Sequence, residues 1–279
     1  PRSAGGAMVA AMDAPAAAPV TTARSNPHPG LGFREFVALV AGLMALNALS
    51  VDVMLPGLAA IDAALGVADD NDRQLVLGVY LGGFAAARLV WGPLADRFGR
   101  KPALMVGLGL YVVASVGAAL APSFGALLAA RLAQGLTAAS TRVIALALVR
   151  DCYAGRGMGR VMSLVMMVFM IVPILAPGIG QVILLFAPWR WMFGLLLAGG
   201  VAMLLWVVLR LPETLRPRHR RRLRLAPLLA AYGEIVTNRV TCGYMLALGV
   251  IFGALFGFLT SAQQVMQEVF GLGLWFTVA

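Results

Sequence analysis

The chain has 279 residues, 61% of them apolar and only 12% charged, with a mean hydropathy of +0.87. Soluble domains sit near half apolar and a quarter charged, so composition excludes a water-soluble globule and a disordered chain alike. The formal net charge of +10 leaves two classes open, a nucleic-acid binder or a protein of the anionic inner membrane surface, and the placement of the charges decides between them.

Residues 1–34 are rich in Ala, Pro, Gly, Ser and Thr, lack a helical apolar period and read as a disordered tail. The chain opens on Pro1 rather than methionine, and no basic segment with a short apolar core precedes the first span, so no cleaved signal peptide is expected. A bilayer core about 30 Å thick takes about 20 apolar residues per helix. Stretches of that kind lie near 35–56, 74–94, 103–121, 124–149, 161–187, 191–209 and 241–261. The pattern predicts an all-α membrane protein with a six-helix bundle over 35–209, a basic linker over 210–240 and the first helix of a second, incomplete bundle over 241–279. Gly271 to Ala279 turns apolar again and reads as the start of an eighth span, so the chain is expected to be part of a longer protein.

The charges fall between the spans. Asp96, Arg97, Arg100 and Lys101 follow span two, Arg150, Asp151, Arg156 and Arg160 follow span four, and eight arginines from Arg210 to Arg239 follow span six. The connector after span one carries Asp62, Asp69, Asp70 and Asp72 against Arg73, and the one after span five has only Arg190. Positive charge marks the inner side, which puts the N-terminus and every even connector in the cytoplasm of an inner-membrane, multi-pass protein. Cys152 and Cys242 then lie on the reducing side, where no disulfide is expected. The arginines from Arg216 to Arg224 lack interleaved aromatics and read as an inner-leaflet contact, with no nucleic-acid role. Leu223 to Ile235 is expected to form a short amphipathic helix on that surface.

Between spans two and three stands Gly92-Pro93-Leu94-Ala95-Asp96-Arg97-Phe98-Gly99-Arg100-Lys101. Glycine permits a tight turn, Asp96 pairs with arginine at the membrane edge, and Arg97, Arg100 and Lys101 anchor the turn to the inner leaflet. This stretch resembles the G-x-x-x-D-R-x-G-R-K signature of the major facilitator superfamily of transporters. Asp52 to Ile61 is similar to the D-x-x-L-P-x-L-x-x-I pattern of that superfamily's drug:proton antiporters, in the bicyclomycin/chloramphenicol-resistance branch. Arg131-Leu132-Ala133-Gln134-Gly135 resembles their R-x-x-Q-G motif. Ala176-Pro177-Gly178-Ile179-Gly180-Gln181 resembles G-P-x-x-G-G, with Ala176 and Gln181 in place of two glycines.

The resemblance implies that Asp52, Arg131 and Gln134 couple proton movement to the transport cycle, while Gly92, Asp96, Arg97, Gly99, Arg100 and Lys101 tune the balance between inward-open and outward-open forms. An arginine within a span costs at least about 2.5–3.5 kcal/mol on insertion scales, so Arg131 is expected to face a bundle interior or a wet crevice with a partner, the alternative being a packed arginine bonded to carbonyls. Arg142, about 20° round the helix from Arg131, either lines the substrate cavity or snorkels inward, and Arg88, one turn before Gly92 on span two, either pairs in the interior with the loop signature or snorkels inward. Asp52 is either a proton site in a partly desolvated position or a carboxylate meeting water at a helix end. Met166, Met170, Pro173, Pro177 and Gly180 suit a polyspecific cavity that bends, or else gap-filling and lipid-facing positions. Gly78, Gly82 and Ala86, like Ala114 and Ala118, read as close helix packing.

Catalytic and metal residues are not expected: His28 and His219 are the only histidines, and no phosphate-binding Gly-x-x-x-x-Gly-Lys-Ser/Thr loop occurs. The expected activity is proton-coupled efflux of small amphipathic drugs by alternating access, from a non-enzymatic carrier that acts as a monomer and uses the proton gradient and no bound cofactor. A proton-coupled metabolite symporter and an inactive remnant of a transporter are the alternatives.

Overall fold

The computed structural model describes residues 31–66, 72–215, 220 and 225–264. The expected tail, most of the arginine cluster and the start of an eighth span lie outside the described residues. Helices α1 (Phe33–Asp52) and α2 (Leu58–Leu65) are joined through a 3-10 turn at Leu55–Gly57. Then come α3 (Leu75–Phe98), α4 (Arg100–Ala119), α5 (Phe124–Cys152), α6 (Gly155–Phe186) and α7 (Arg190–Arg210). Helices α8 (Leu225–Thr237) and α9 (Arg239–Gln264) complete the order. Six helical segments among the described residues are long and apolar enough to cross a membrane, the first comprising α1, the turn and α2.

Several helices extend beyond their expected apolar limits. Asp96 and Arg97 belong to the last turn of α3, and Arg150 and Asp151 to that of α5, rather than to connectors. Helix α6 starts at Gly155 and so includes Arg156 and Arg160, and α2 takes in Asp62. The physical reason is common to all: helical backbone bonding continues into the polar interface, whereas hydropathy registers only the apolar portion. The connector between α3 and α4 is Gly99 alone.

The first span breaks at a proline. Pro56 has no N–H to return to the carbonyl of Asp52, four residues earlier, and the chain tightens there into a 3-10 turn. The N–H of Met54 turns to Val51 O, at 3.3 Å, so it no longer bonds the carbonyl of Ser50. Helix α6, by contrast, runs unbroken through Pro173 and Pro177.

Because lipid tails are as apolar as leucine, helices in a bilayer associate through close packing of small residues and through interhelical hydrogen bonds. The α3–α5 contact shows this. A Cβ on Gly135 would lie 2.1 Å from Tyr80 O, and one on Gly83 would lie 2.7 Å from Leu132 O, so the two backbones touch. Among the described residues the ones expected to do this on α3 have no such neighbour: Gly78, Gly82 and Ala86 are exposed, and both glycines have open space. The four-residue spacing was right for a small-residue stripe, but Gly83 and the ring of Tyr80 lie on the face that meets α5. Ala114 and Ala118 are buried on α4, in line with expectation. On that helix, Gly107 meets Ser140 of α5, and Tyr111 meets Gly200 of α7.

Candidate functional site: a buried arginine network and a charged helix junction

Arg131 is fully buried in the bundle. Its Nε donates to Val76 O at 3.1 Å, Nη2 to Ser50 O at 3.0 Å, and Nη1 to Gln134 Oε1 at 2.7 Å. The Ser50 carbonyl is left free where Met54 N–H turns to Val51 O, so the tightening of the chain after α1 leaves an acceptor for a cation on α5. The guanidinium also sits 4.4 Å from the ring centroid of Tyr80 and 5.8 Å from that of Phe193. Carbonyl oxygens and aromatic faces thus replace water around this charge.

The network continues through neutral groups. Gln134 Nε2 donates to Ser115 Oγ at 2.8 Å, and Ser115 Oγ donates to Tyr111 O at 2.8 Å. Ser50 Oγ and Tyr111 Oη are 2.7 Å apart, and Ser50 Oγ reaches Leu46 O at 2.7 Å. One connected set of polar groups therefore ties α1, α3, α4 and α5 around Arg131. At its margin, the Tyr80 hydroxyl and Asn47 Nδ2 are buried with no hydrogen-bond partner among the described residues. Asp52 closes α1 at 8% exposure, and no hydrogen bond or ion pair reaches it among the described residues.

Of the placements expected for Arg131, the side chain takes the bundle interior, enclosed and held by two carbonyls and the Gln134 amide. Arg131 and Gln134, four and one positions before Gly135, were legible as a motif, but Ser50, Tyr80, Tyr111 and Ser115 were not singled out. A signal existed, because Tyr80, Tyr111 and Ser115 are isolated polar side chains deep within apolar runs.

A second cluster lies at the α3–α4 junction. Arg100 Nη1 meets Asp96 Oδ1 at 2.6 Å, and Arg100 Nε meets Asp151 Oδ2 at 3.0 Å, which joins α3, α4 and α5 through one guanidinium. Asp151 also accepts from Thr214 Oγ1 at 3.3 Å. Gly99 adopts φ +108°, a conformation that only glycine takes readily, and a Cβ there would collide with the Glu213 carboxylate. That carboxylate accepts from the backbone N–H groups of Arg100, Lys101 and Leu215. Lys101 Nζ donates to Val208 O at 2.9 Å. Gly92, Asp96, Arg100 and Asp151 border a cleft of about 320 Å³ between α3 and α5, while Arg97 points outward with its guanidinium 5.0 Å from the Phe98 ring centroid.

The remaining candidates separate. Gly180 is buried where α6 crosses the break in the first span, since a Cβ would lie 2.3 Å from Val53 O, so it serves packing at that crossing. Met166 is partly buried, whereas Met170 is 70% exposed and Pro173 is exposed. Pro177 is half-buried. Arg142 is half-buried with its guanidinium 5.1 Å from the Phe169 ring centroid.

Comparison with known proteins agrees with this architecture. Residues 40–279 match the Major Facilitator Superfamily. The chain is 33% identical over 242 residues to the uncharacterized MFS-type transporter YdgK of Bacillus subtilis (strain 168), an alignment covering 86% of this chain and 60% of that protein. It is 37% identical over 180 residues to the multidrug resistance protein MdtL of Escherichia coli O45:K1 (strain S88 / ExPEC), covering 64% of this chain and 46% of that protein. The chain thus spans about half the length of the curated relatives it matches. Among solved structures, that of the human organic anion transporter MFSD10 (TETRAN) superposes with a TM-score of 0.61 at 20% identity, over 88% of this chain and 69% of the other, a likeness of fold. With the family matched across most of the sequence and six apolar helices packed as described, the chain belongs to the Major Facilitator Superfamily.

Proposed function

We propose that this chain is the first bundle, the linker and the opening of the second bundle of a proton-coupled multidrug efflux carrier of the inner membrane. The observation that carries the reading is the 37% identity to MdtL, whose name records multidrug resistance. The motif resemblance adds the drug:proton antiporter group and its bicyclomycin/chloramphenicol-resistance branch. In this reading residues 35–209 form the bundle, 210–240 the cytoplasmic linker and 241–279 the start of the partner bundle. The N-terminus is cytoplasmic, the carrier works as a monomer without a cofactor, and it binds no nucleic acid.

Alternating access requires one bundle to rock against the other about a site between them. Arg131, bonded to α1, α3 and its own helix, holds the bundle as one rocking unit. Asp52 is the proton-accepting group: a buried carboxylate without a donor is stabilised by gaining a proton, and losing it on the opposite face reverses the effect. The Asp96–Arg100–Asp151 cluster sets the closed arrangement at the cytoplasmic end. The test is drug accumulation in everted vesicles carrying the complete gene product. A proton gradient should drive uptake, a protonophore should abolish it, and Asp52→Asn should remove the gradient dependence. Accumulation indifferent to the gradient refutes proton coupling, and gradient-driven loss of drug from those vesicles indicates symport instead.

A further inference from the structure

Helices α3 and α5 run side by side in the same direction, with Val76 beside Arg131 and Tyr80 beside Gly135. Arg88 and Arg142 therefore come to similar depth, each ten residues before the C-terminal end of its helix. At 1.5 Å per residue that is about 15 Å from the helix end, inside the apolar stretch of each span but toward its inner edge, since both helices run on into the polar interface. The two helices stay side by side past these positions, where Gly92 and Ala95 of α3 and Val143 and Ala147 of α5 line one cleft. Each lies over an aromatic ring, Arg88 at 4.7 Å from the Phe84 centroid and Arg142 at 5.1 Å from that of Phe169.

Neither arginine has a hydrogen bond or ion pair among the described residues, and Arg142 Nε is buried without an acceptor. The acidic groups on these helices are committed elsewhere, since Asp96 and Asp151 both bind Arg100. Two like charges placed together in an apolar layer each carry the insertion penalty of an intramembrane arginine, and their repulsion adds to it. Arg131 offsets that penalty with three hydrogen bonds; Arg88 and Arg142 do not. Arg88 is exposed and Arg142 half-buried, so neither guanidinium is sealed in the bundle as that of Arg131 is.

We infer that Arg88 and Arg142 form a substrate subsite for the carboxylate of an amphipathic aromatic acid, with Phe84 and Phe169 flanking the apolar part. Guanidinium is the appropriate cation: its planar fork matches a carboxylate with two parallel hydrogen bonds, and it is weakly hydrated, so pairing inside an apolar face costs less than for lysine. A bound anion supplies the buried Nε–H with an acceptor and separates the two positive charges. Phenylalanine rings on either side accept a planar ring by offset or edge contact. The subsite rests on the efflux reading above and narrows it, naming organic monoanions among the exported compounds.

The test titrates the purified full chain in detergent with dansylglycine and with its uncharged amide, following dansyl emission. The wild type should bind the acid about tenfold more tightly than the amide, a difference near 1.4 kcal/mol. Arg142→Gln and Arg88→Gln should each bring the two affinities within about twofold, and Arg142→Lys should keep an intermediate preference, by the geometric difference between the two cations. Gel filtration reports folding. Should Arg142→Gln fail to fold, Arg88→Gln and Arg142→Lys decide. Equal affinities in the wild type, or a preference that survives Arg88→Gln and Arg142→Gln, overturns the subsite. Proton-driven export of an uncharged drug, measured in parallel in everted vesicles, separates the two ideas. If it persists while acid and amide bind alike, only the subsite falls; if the preference is present without proton-driven export, only the efflux reading falls.

Discussion

Glu213 Oε1 lies 2.9 Å from the amide nitrogen of Arg100, the first residue of α4, so a side chain three residues beyond α7 caps a helix more than a hundred positions earlier. The first N–H groups of any helix lack intrahelical acceptors, and a carboxylate there also meets the positive end of the helix dipole. Glu213→Ala is expected to cost about 1 kcal/mol, the usual magnitude for a lost cap, and Glu213→Gln less. Thermal unfolding of the purified protein, followed by circular dichroism in detergent, reads the difference.

At Gly99 the same junction is sterically closed. An alanine there must adopt φ near +108° and also displace the Glu213 carboxylate. Strained backbone of this kind costs about 1–3 kcal/mol, so Gly99→Ala should destabilise more than Glu213→Ala. Combining the two should relieve the collision but not the backbone strain. A double variant less stable than the sum of the singles contradicts this arrangement.

Within the core network, Gln134→Ala removes the acceptor of Arg131 Nη1 and the donor to Ser115 together. Interhelical hydrogen bonds in membrane proteins contribute about 0.6–2 kcal/mol, so a loss in that range is expected. Gln134→Glu restores the acceptor but not the donor and should recover part of it. Unfolding in mild detergent with increasing dodecyl sulfate measures the three proteins on one scale.

Helix approach is tested most directly at Gly135. A methyl group there would lie 2.1 Å from Tyr80 O, and backbone, unlike a side-chain tip, cannot rotate away. Gly135→Ala is expected to cost about 1–3 kcal/mol by overpacking, whereas Gly78→Ala and Gly82→Ala, in open space, should be close to neutral. The contrast among three glycines within one pair of helices is checked by comparing their yields and melting temperatures.

Orientation has a separate readout. Cys242 is partly exposed near the start of α9, whereas Cys152 is buried, and neither forms a disulfide. With α9 entering from the cytoplasm, a membrane-impermeant maleimide should label Cys242 in everted vesicles and not in intact cells, with Cys152 unreactive in both until unfolding. Labelling of Cys242 in intact cells reverses the topology.

The helices and their order were legible because hydropathy has the length scale of a bilayer. Arg131, Gln134 and the Asp96–Arg100 pair were legible because polar residues at fixed spacing stand out against an apolar background. What escaped the sequence depends on distance between segments. Glu213 bears on Arg100 only once α7 returns beside α4, and Ser50 is important for its backbone carbonyl, which no side-chain pattern reveals. The packing stripe was misplaced by one residue, from Gly82 to Gly83, because several small residues lie on α3 and only the neighbouring helix selects among them.

The interruption of the first span carries a geometric consequence. With 20 residues, α1 rises about 30 Å, enough by itself to traverse the hydrocarbon layer. Helix α2 then adds length beyond that minimum: it buries Leu58 and Ile61 in the bundle and is tied to the following segment by the 4.0 Å contact between Asp62 and Arg73. Asp52, as the terminal residue of α1, therefore stands at the bend itself, where the turn and α2 fold back enough to leave it only 8% exposed.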